Sequence, residues 1–166
     1  ALGNGGTLYR PQVIESIQPL EGEPTAVFKP EARSTLPLTP EYLQILQDAM
    51  ISVIKNSRGT ANGRLRGYVI PTAAKTGTAE SGSGLPHAWF AGYTLASEDT
   101  GLPDIAIAVI LENAGEGSDY AAPVFRRIAE SYYYGSPQSL YWWEQSFGVT
   151  KTPTPFGGIP TKTPKP

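Results

Sequence analysis

The chain has 166 residues, with 13 basic and 15 acidic side chains for a formal net charge of −2, 40% hydrophobic residues and 17% charged residues. That length suits one domain or a large part of one, and the balance excludes a disordered charged tail, a coiled coil and a protein that holds nucleic acid by neutralising phosphates. With no cysteine and the single histidine His87, it has no disulfide, thiolate nucleophile, zinc–thiolate site or multi-histidine metal cluster, and no apolar run is long enough to span a bilayer.

The chain opens at Ala1 without an initiator methionine, a signal-peptide pattern or an anchor, which leads us to expect a cut through a larger domain. Asn4-Gly5-Gly6 is a turn signal, and Thr7 to Ile14 is predicted as a strand. Gly5-Gly6 is backbone punctuation, since no lysine-serine pair follows as a phosphate-binding loop needs. A helix is predicted over Pro40 to Lys55, with Thr39 as N-cap, Pro40 at the first helical position and Glu41 at the positive end of the dipole. Its apolar stripe is Leu43, Leu46, Met50, Val53 and Ile54, and Asn56-Ser57-Arg58-Gly59 ends it.

Three strands are predicted next. Tyr68-Val69-Ile70 leads past Pro71 into Ala73 to Thr78, Ala88 to Thr94 follows a Gly/Ser loop, and Asp104 to Glu112 is apolar on both faces. Short connections make them an antiparallel meander, and the third strand's pattern predicts a central strand covered by helices on each side. A last helix is predicted from about Ala121 to Tyr134, capped by Ser118 or Asp119, offering Val124, Phe125, Ile128 and Tyr132 to the sheet. Residues 136–147 form an aromatic-rich extension containing Tyr141-Trp142-Trp143. From 148 to 166 the prolines, threonines and lysines predict an extended tail that cannot offset its ordering entropy.

The tetrapeptide Lys75-Thr76-Gly77-Thr78 carries the chemistry. A strand bordering a cleft can pair with an extended peptide through its backbone. Gly77, without a side chain, admits a close ligand backbone, and the Lys75 ammonium with the Thr76 and Thr78 hydroxyls can hold a terminal carboxylate. Taken alone, the same residues read as a solvated strand edge bearing a lysine. Other residues are weaker candidates. His87 can face a cleft, though a hydrogen-bonded structural histidine is the plainer reading. Trp89 and Phe90 are expected to pack the sheet against helices, while Asn113, Glu116 and Asp119 receive no chemistry. Arg58 and Arg64 could touch an anionic glycan peptide, with solvated surface as the default.

The stretches Gly-Gly-Thr-Leu-Tyr-Arg-Pro at 5–11, Arg-Gly-Thr-Ala at 58–61, Lys-Thr-Gly-Thr-Ala-Glu at 75–80, His-Ala-Trp-Phe-Ala-Gly-Tyr at 87–93 and Ala-Ala-Pro-Val-Phe at 121–125 occur in that order. Together they resemble the C-terminal half of the transpeptidase domain of penicillin-binding proteins of the class B, elongation type, over residues 1 to 135. The resemblance implies an α/β (α+β) sandwich: an antiparallel sheet flanked by helices, of the serine β-lactamase/transpeptidase kind, incomplete in this chain. It implies peptidoglycan cross-linking by serine acyl transfer, with Lys75, Thr76, Gly77 and Thr78 binding a D-alanyl-D-alanine stem peptide or a β-lactam. It also makes the Thr78 backbone N–H an oxyanion-hole donor and gives Lys75 a part in proton transfer.

The family's serine nucleophile with a lysine three residues on, and its Ser-x-Asn element, are not found. The one Ser-x-x-Lys, Ser52 to Lys55, falls at a helix C-terminus, where the dipole opposes an alkoxide. This chain alone is therefore expected to be inactive, with the nucleophile upstream of Ala1. The resemblance implies no metal or organic cofactor and no nucleic acid. It implies cell-wall synthesis partners and a place on the outer face of a bacterial plasma membrane, through an anchor missing here. Two other readings stay open, a non-catalytic stem-peptide-binding or scaffold module and a β-lactamase-type hydrolase.

Overall fold

The structure is a computed structural model that describes residues 1–82 and 84–141. Trp142, Trp143 and the Pro/Thr/Lys-rich segment 148–166 lie outside the described residues. Two compact units divide the chain, Ala1–Leu46 and Gln47–Pro166.

In the first unit a short 3-10 helix, Leu2–Asn4, ends on Gly5 in the left-handed conformation and turns the chain into β1 (Thr7–Tyr9). β2 (Ser16–Ile17) pairs with β3 (Ala26–Val27), and β1 pairs antiparallel with β4 (Ala32–Thr35) across a bulge between Leu8 and Tyr9. The strand expected to run to Ile14 stops at Tyr9. Pro11 has no N–H to give a ladder, and Val13 and Ile14 lie exposed beyond it.

Helix α1 spans Pro40–Lys55, as predicted. The Thr39 hydroxyl accepts the Tyr42 N–H at 3.3 Å and the Thr39 carbonyl accepts that of Leu43 at 3.0 Å, so the cap satisfies donors that the helix itself leaves open. Of the apolar stripe, only Ile54 is buried, with Val53 packed against the same core.

The second unit is built on a three-stranded antiparallel sheet in the order β5-β6-β7, comprising Thr72–Ala79, His87–Thr94 and Ala106–Leu111. Tyr68–Ile70 is not a strand; the ladder begins after Pro71, whose carbonyl accepts the Leu95 N–H at 2.8 Å. A short helix α2 (Ser97–Thr100) joins β6 to β7, and α3 (Ala121–Tyr134) follows.

Residues opposite one another share a face of a pleated sheet, so the register sorts the side chains. Thr76, Phe90 and Val109 lie on one face, and Lys75, Ala91 and Ala108 on the other. The first face is covered by α3: Phe90 and Phe125, both wholly buried, meet edge to face with ring centroids 4.9 Å apart. On the second face Trp89, Ala91, Ala106, Ala108 and Ile110 are exposed. Two expectations are corrected by this. Among the described residues β7 is an end strand of the three with one covered face, because its outward positions are alanines and one isoleucine whose apolar type did not require cover. Trp89, expected to pack the sheet against helices as Phe90 does, lies exposed on the opposite face.

α3 begins without the expected Ser118 or Asp119 cap. Its N-cap is Tyr120, with no side-chain cap bond, and the Gly117 carbonyl accepts the Ala121 and Ala122 N–H groups instead. The Asp119 carboxylate is drawn away to Arg64 at 2.8 Å. Further along, Glu130 is buried with Arg126 at 2.6 Å and Arg127 at 3.1 Å, and accepts the Gln138 N–H at 2.9 Å.

Asp104 holds the start of α2 by accepting from the Ala96 N–H at 2.6 Å, the Ser97 hydroxyl at 2.7 Å and the Thr94 hydroxyl at 3.1 Å. Burial alone would raise its carboxyl, but the Ser97, Ala96 and Thr94 hydrogen bonds outweigh it and hold the group below the ordinary aspartate value.

Truncating Phe125→Ala leaves a cavity against Phe90, and urea denaturation is expected to show a loss of about 3–5 kcal/mol. The depressed Asp104 carboxyl contributes stability that is complete above the unfolded value near pH 4 and is lost as the pH falls through the lower folded value. Thermal melts of Asp104→Asn should accordingly show a smaller loss on acidification below about pH 4 than the parent protein shows.

Candidate functional site

The Lys75 to Thr78 tetrapeptide forms the middle of β5, the edge strand opposite β7. Lys75 and Thr78 are exposed and Thr76 and Gly77 half-buried, so no helix among the described residues covers the segment. Strand alternation places Lys75 and Gly77 on the open face and the two threonines on the face shared with Phe90. A ligand lying along this edge can meet the ammonium from one side and the hydroxyls from the other. The Lys75 ammonium donates to the Thr76 carbonyl at 2.7 Å. A Cβ at Gly77 would stand 3.1 Å from the Trp89 Cβ, so even alanine would crowd the open face beside Lys75.

The Arg58-Gly59-Thr60-Ala61 turn contacts β5 at Thr76. The Asn62 side chain donates to the Ile54 carbonyl at 2.8 Å and the Ala61 N–H to that of Val53 at 3.1 Å, closing the end of α1. A Cβ at Gly59 would run into the Ser52 and Val53 carbonyls, so the turn can fold back this tightly only with glycine. It delivers the Thr60 hydroxyl to within 2.9 Å of the Thr76 hydroxyl. Thr60 was not singled out by spacing, although it lies inside one of the stretches that carry the family resemblance.

The segment between β7 and α3 reaches the same strand two positions further on, at Thr78. The Thr78 hydroxyl donates to the Glu116 carboxylate at 2.7 Å and accepts the Gly117 N–H at 3.4 Å. Gly117 is buried, and a Cβ there would collide with the Gly77 and Trp89 carbonyls. Glu116 thus joins the site although its sequence context assigned it no chemistry; the contact is purely tertiary.

The other candidates fall elsewhere. His87 Nδ1 accepts the Asn113 N–H at 3.0 Å, a structural role that ties the two strand ends. Arg64 pairs with Asp119, which raises the guanidinium further above its ordinary value by hydrogen bond and charge, and the Arg64 carbonyl accepts the Tyr141 hydroxyl at 3.1 Å. The Arg58 N–H is held by the Asn56 side chain at 2.9 Å. In α1 the Ser52 hydroxyl donates to the Ala49 carbonyl at 2.7 Å, in keeping with a helix serine and not an activated one.

A family model described as the penicillin binding protein transpeptidase domain matches residues 1–130. Peptidoglycan D,D-transpeptidase PbpA of Mycobacterium tuberculosis is 30% identical over 147 residues, covering 82% of this chain and 28% of the relative. Peptidoglycan D,D-transpeptidase MrdA of Haemophilus influenzae is 29% identical over 150 residues, covering 79% of this chain and 22% of the relative. Among solved structures, the imipenem acyl-enzyme complex of penicillin-binding protein A from M. tuberculosis superposes with a TM-score of 0.64 at 26% identity, over 79% of this chain and 28% of that one. The chain therefore spans less than a third of the relatives it matches.

Gly117→Ala is expected to push the segment before α3 off β5 and β6, since both obstacles are backbone carbonyls. Thermal melting should show destabilisation of about 1–3 kcal/mol, the range for overpacking a tight site.

Proposed function

The chain belongs to the penicillin-binding protein transpeptidase family, and on that premise we propose that it supplies the substrate-binding strand of a peptidoglycan D,D-transpeptidase that cross-links stem peptides by serine acyl transfer. The observation that carries this is an uncovered β5 edge on which an ammonium, two hydroxyls and a side-chain-free Gly77 stand at consecutive positions.

A D-alanyl-D-alanine stem peptide lies along the edge as an added strand. Its backbone pairs with β5, and its terminal carboxylate is met by Lys75, Thr76 and Thr78. A β-lactam with its carboxylate takes the same place, as the imipenem acyl-enzyme of the related protein encourages. The Thr78 backbone N–H then points at the carbonyl oxygen that becomes negative in the tetrahedral intermediate. A single preorganised donor of that kind contributes about 3 kcal/mol at the transition state. Lys75 holds a positive charge near the leaving group and assists its proton transfer. The nucleophilic serine is contributed by a part of the protein outside these residues, and the chain on its own does not turn over substrate. Acting on peptidoglycan, the protein works on the outer face of the bacterial plasma membrane together with other wall-synthesis proteins.

The test uses the full-length protein that contains this chain. Labelled penicillin should acylate it stoichiometrically, and Lys75→Ala should slow acylation by roughly a hundredfold, the scale of a lost electrostatic contact at the reacting centre. Undiminished labelling of the variant would overturn the role given to Lys75, and rapid turnover of nitrocefin by the parent would mark a hydrolase instead.

A further inference from the structure

The two threonines of the tetrapeptide are not in equivalent states. A hydroxyl has one hydrogen to donate and two lone pairs to accept with. The Thr76 hydroxyl meets another hydroxyl, that of Thr60, so either can be the donor and the Thr76 hydrogen can be released to a ligand while Thr60 donates to it. The Thr78 hydroxyl accepts from the Gly117 N–H and donates its only hydrogen to a carboxylate, that of Glu116, at 2.7 Å. This length is that of a charge-assisted hydrogen bond.

We propose that Glu116 is a specificity-determining residue: an internal carboxylate that occupies the Thr78 hydroxyl in the free protein and must be displaced by the carboxylate of an incoming ligand. This rests on the reading of β5 as the carboxylate-binding strand. The two anions compete for one hydrogen, and with both present near Thr78 they repel.

The backbone beside Glu116 is fixed by the seat of Gly117 against Gly77 and Trp89 and by the Asp119 and Tyr120 N–H groups donating to the Glu116 carbonyl. The Glu116 side chain itself is exposed. It can therefore swing into solvent without moving the loop, and its cost to a ligand is one hydrogen bond and one like charge. Glu116 thus raises the threshold for anionic ligands and leaves uncharged ones untouched.

The experiment measures the pre-acylation dissociation constant and the acylation rate constant of the full-length protein for benzylpenicillin and for its methyl ester. The parent should prefer the free carboxylate. In Glu116→Gln and Glu116→Ala the preference should rise by roughly three- to tenfold, the scale for removing one like charge a few ångströms away in a partly solvated site. The gain should appear in the dissociation constant with the acylation rate constant unchanged, and Glu116→Asp, which keeps the charge, should stay near the parent. An unchanged or reduced preference in both neutral variants, an equal gain for both ligands, or loss of folding in both would make Glu116 a structural tie and overturn the proposal. A parent with no preference for the free carboxylate would instead overturn the carboxylate-binding reading of β5, and the proposal with it.

Discussion

Gly117 sits where only a hydrogen atom fits, against the backbone of Gly77 and Trp89. That contact joins three things that the chain order keeps apart: the β5 edge, its neighbour β6 and the beginning of α3. The Gly117 carbonyl then receives the first N–H groups of the helix, so the position that braces β5 also launches the element that buries Phe90. The direction of α3 and the alignment of the Thr78 hydroxyl are for this reason not independent. Strain applied to either reaches the other through a rigid backbone contact instead of through flexible side chains.

The structure gives the family's tetrapeptide a physical setting. β5 has a ladder partner on one side only, among the described residues, and the turn at Gly59 and the segment at Gly117 hold it at Thr76 and Thr78 through Thr60 and Glu116. Deeper in, polarity is kept where it can be satisfied. Glu130 is buried between two arginines, and the Arg126 guanidinium also donates to the Arg66 carbonyl at 3.1 Å and the Ser139 hydroxyl at 2.8 Å. A buried charge set of this kind adds little net stability but is costly to break, so it fixes where the chain runs after α3. Tyr141 closes over it, with the Arg127 guanidinium 4.8 Å from the ring centroid.

Much of this was legible in the amino-acid order. The antiparallel meander follows from three apolar runs with short connections, and α1 from the Thr39 cap, Pro40 and helical spacing. The tetrapeptide stands out because a cation, two hydroxyls and a glycine on one strand suit an anionic peptide end. What was misread has identifiable causes. The strands expected at Thr7 to Ile14 and Tyr68 to Ile70 both ran up against a proline, whose missing donor decided where pairing could begin or end. Alanine misled at β7: it scores as apolar, yet Ala106 and Ala108 have so little area that leaving them exposed costs little. Thr60 and Glu116 went unassigned because their partners lie 16 and 38 positions away, and no local pattern encodes such contacts.

β7 reads Ala-Ile-Ala-Val-Ile-Leu, with one ladder partner among the described residues and no charged residue, proline or bulge along its length. Proteins ordinarily protect the rim of a sheet with such features. Among the described residues the outer row of β7 peptide groups has no partner, so copies of this segment brought together at high concentration would be drawn into intermolecular cross-strand association unless a matching strand is offered to them first.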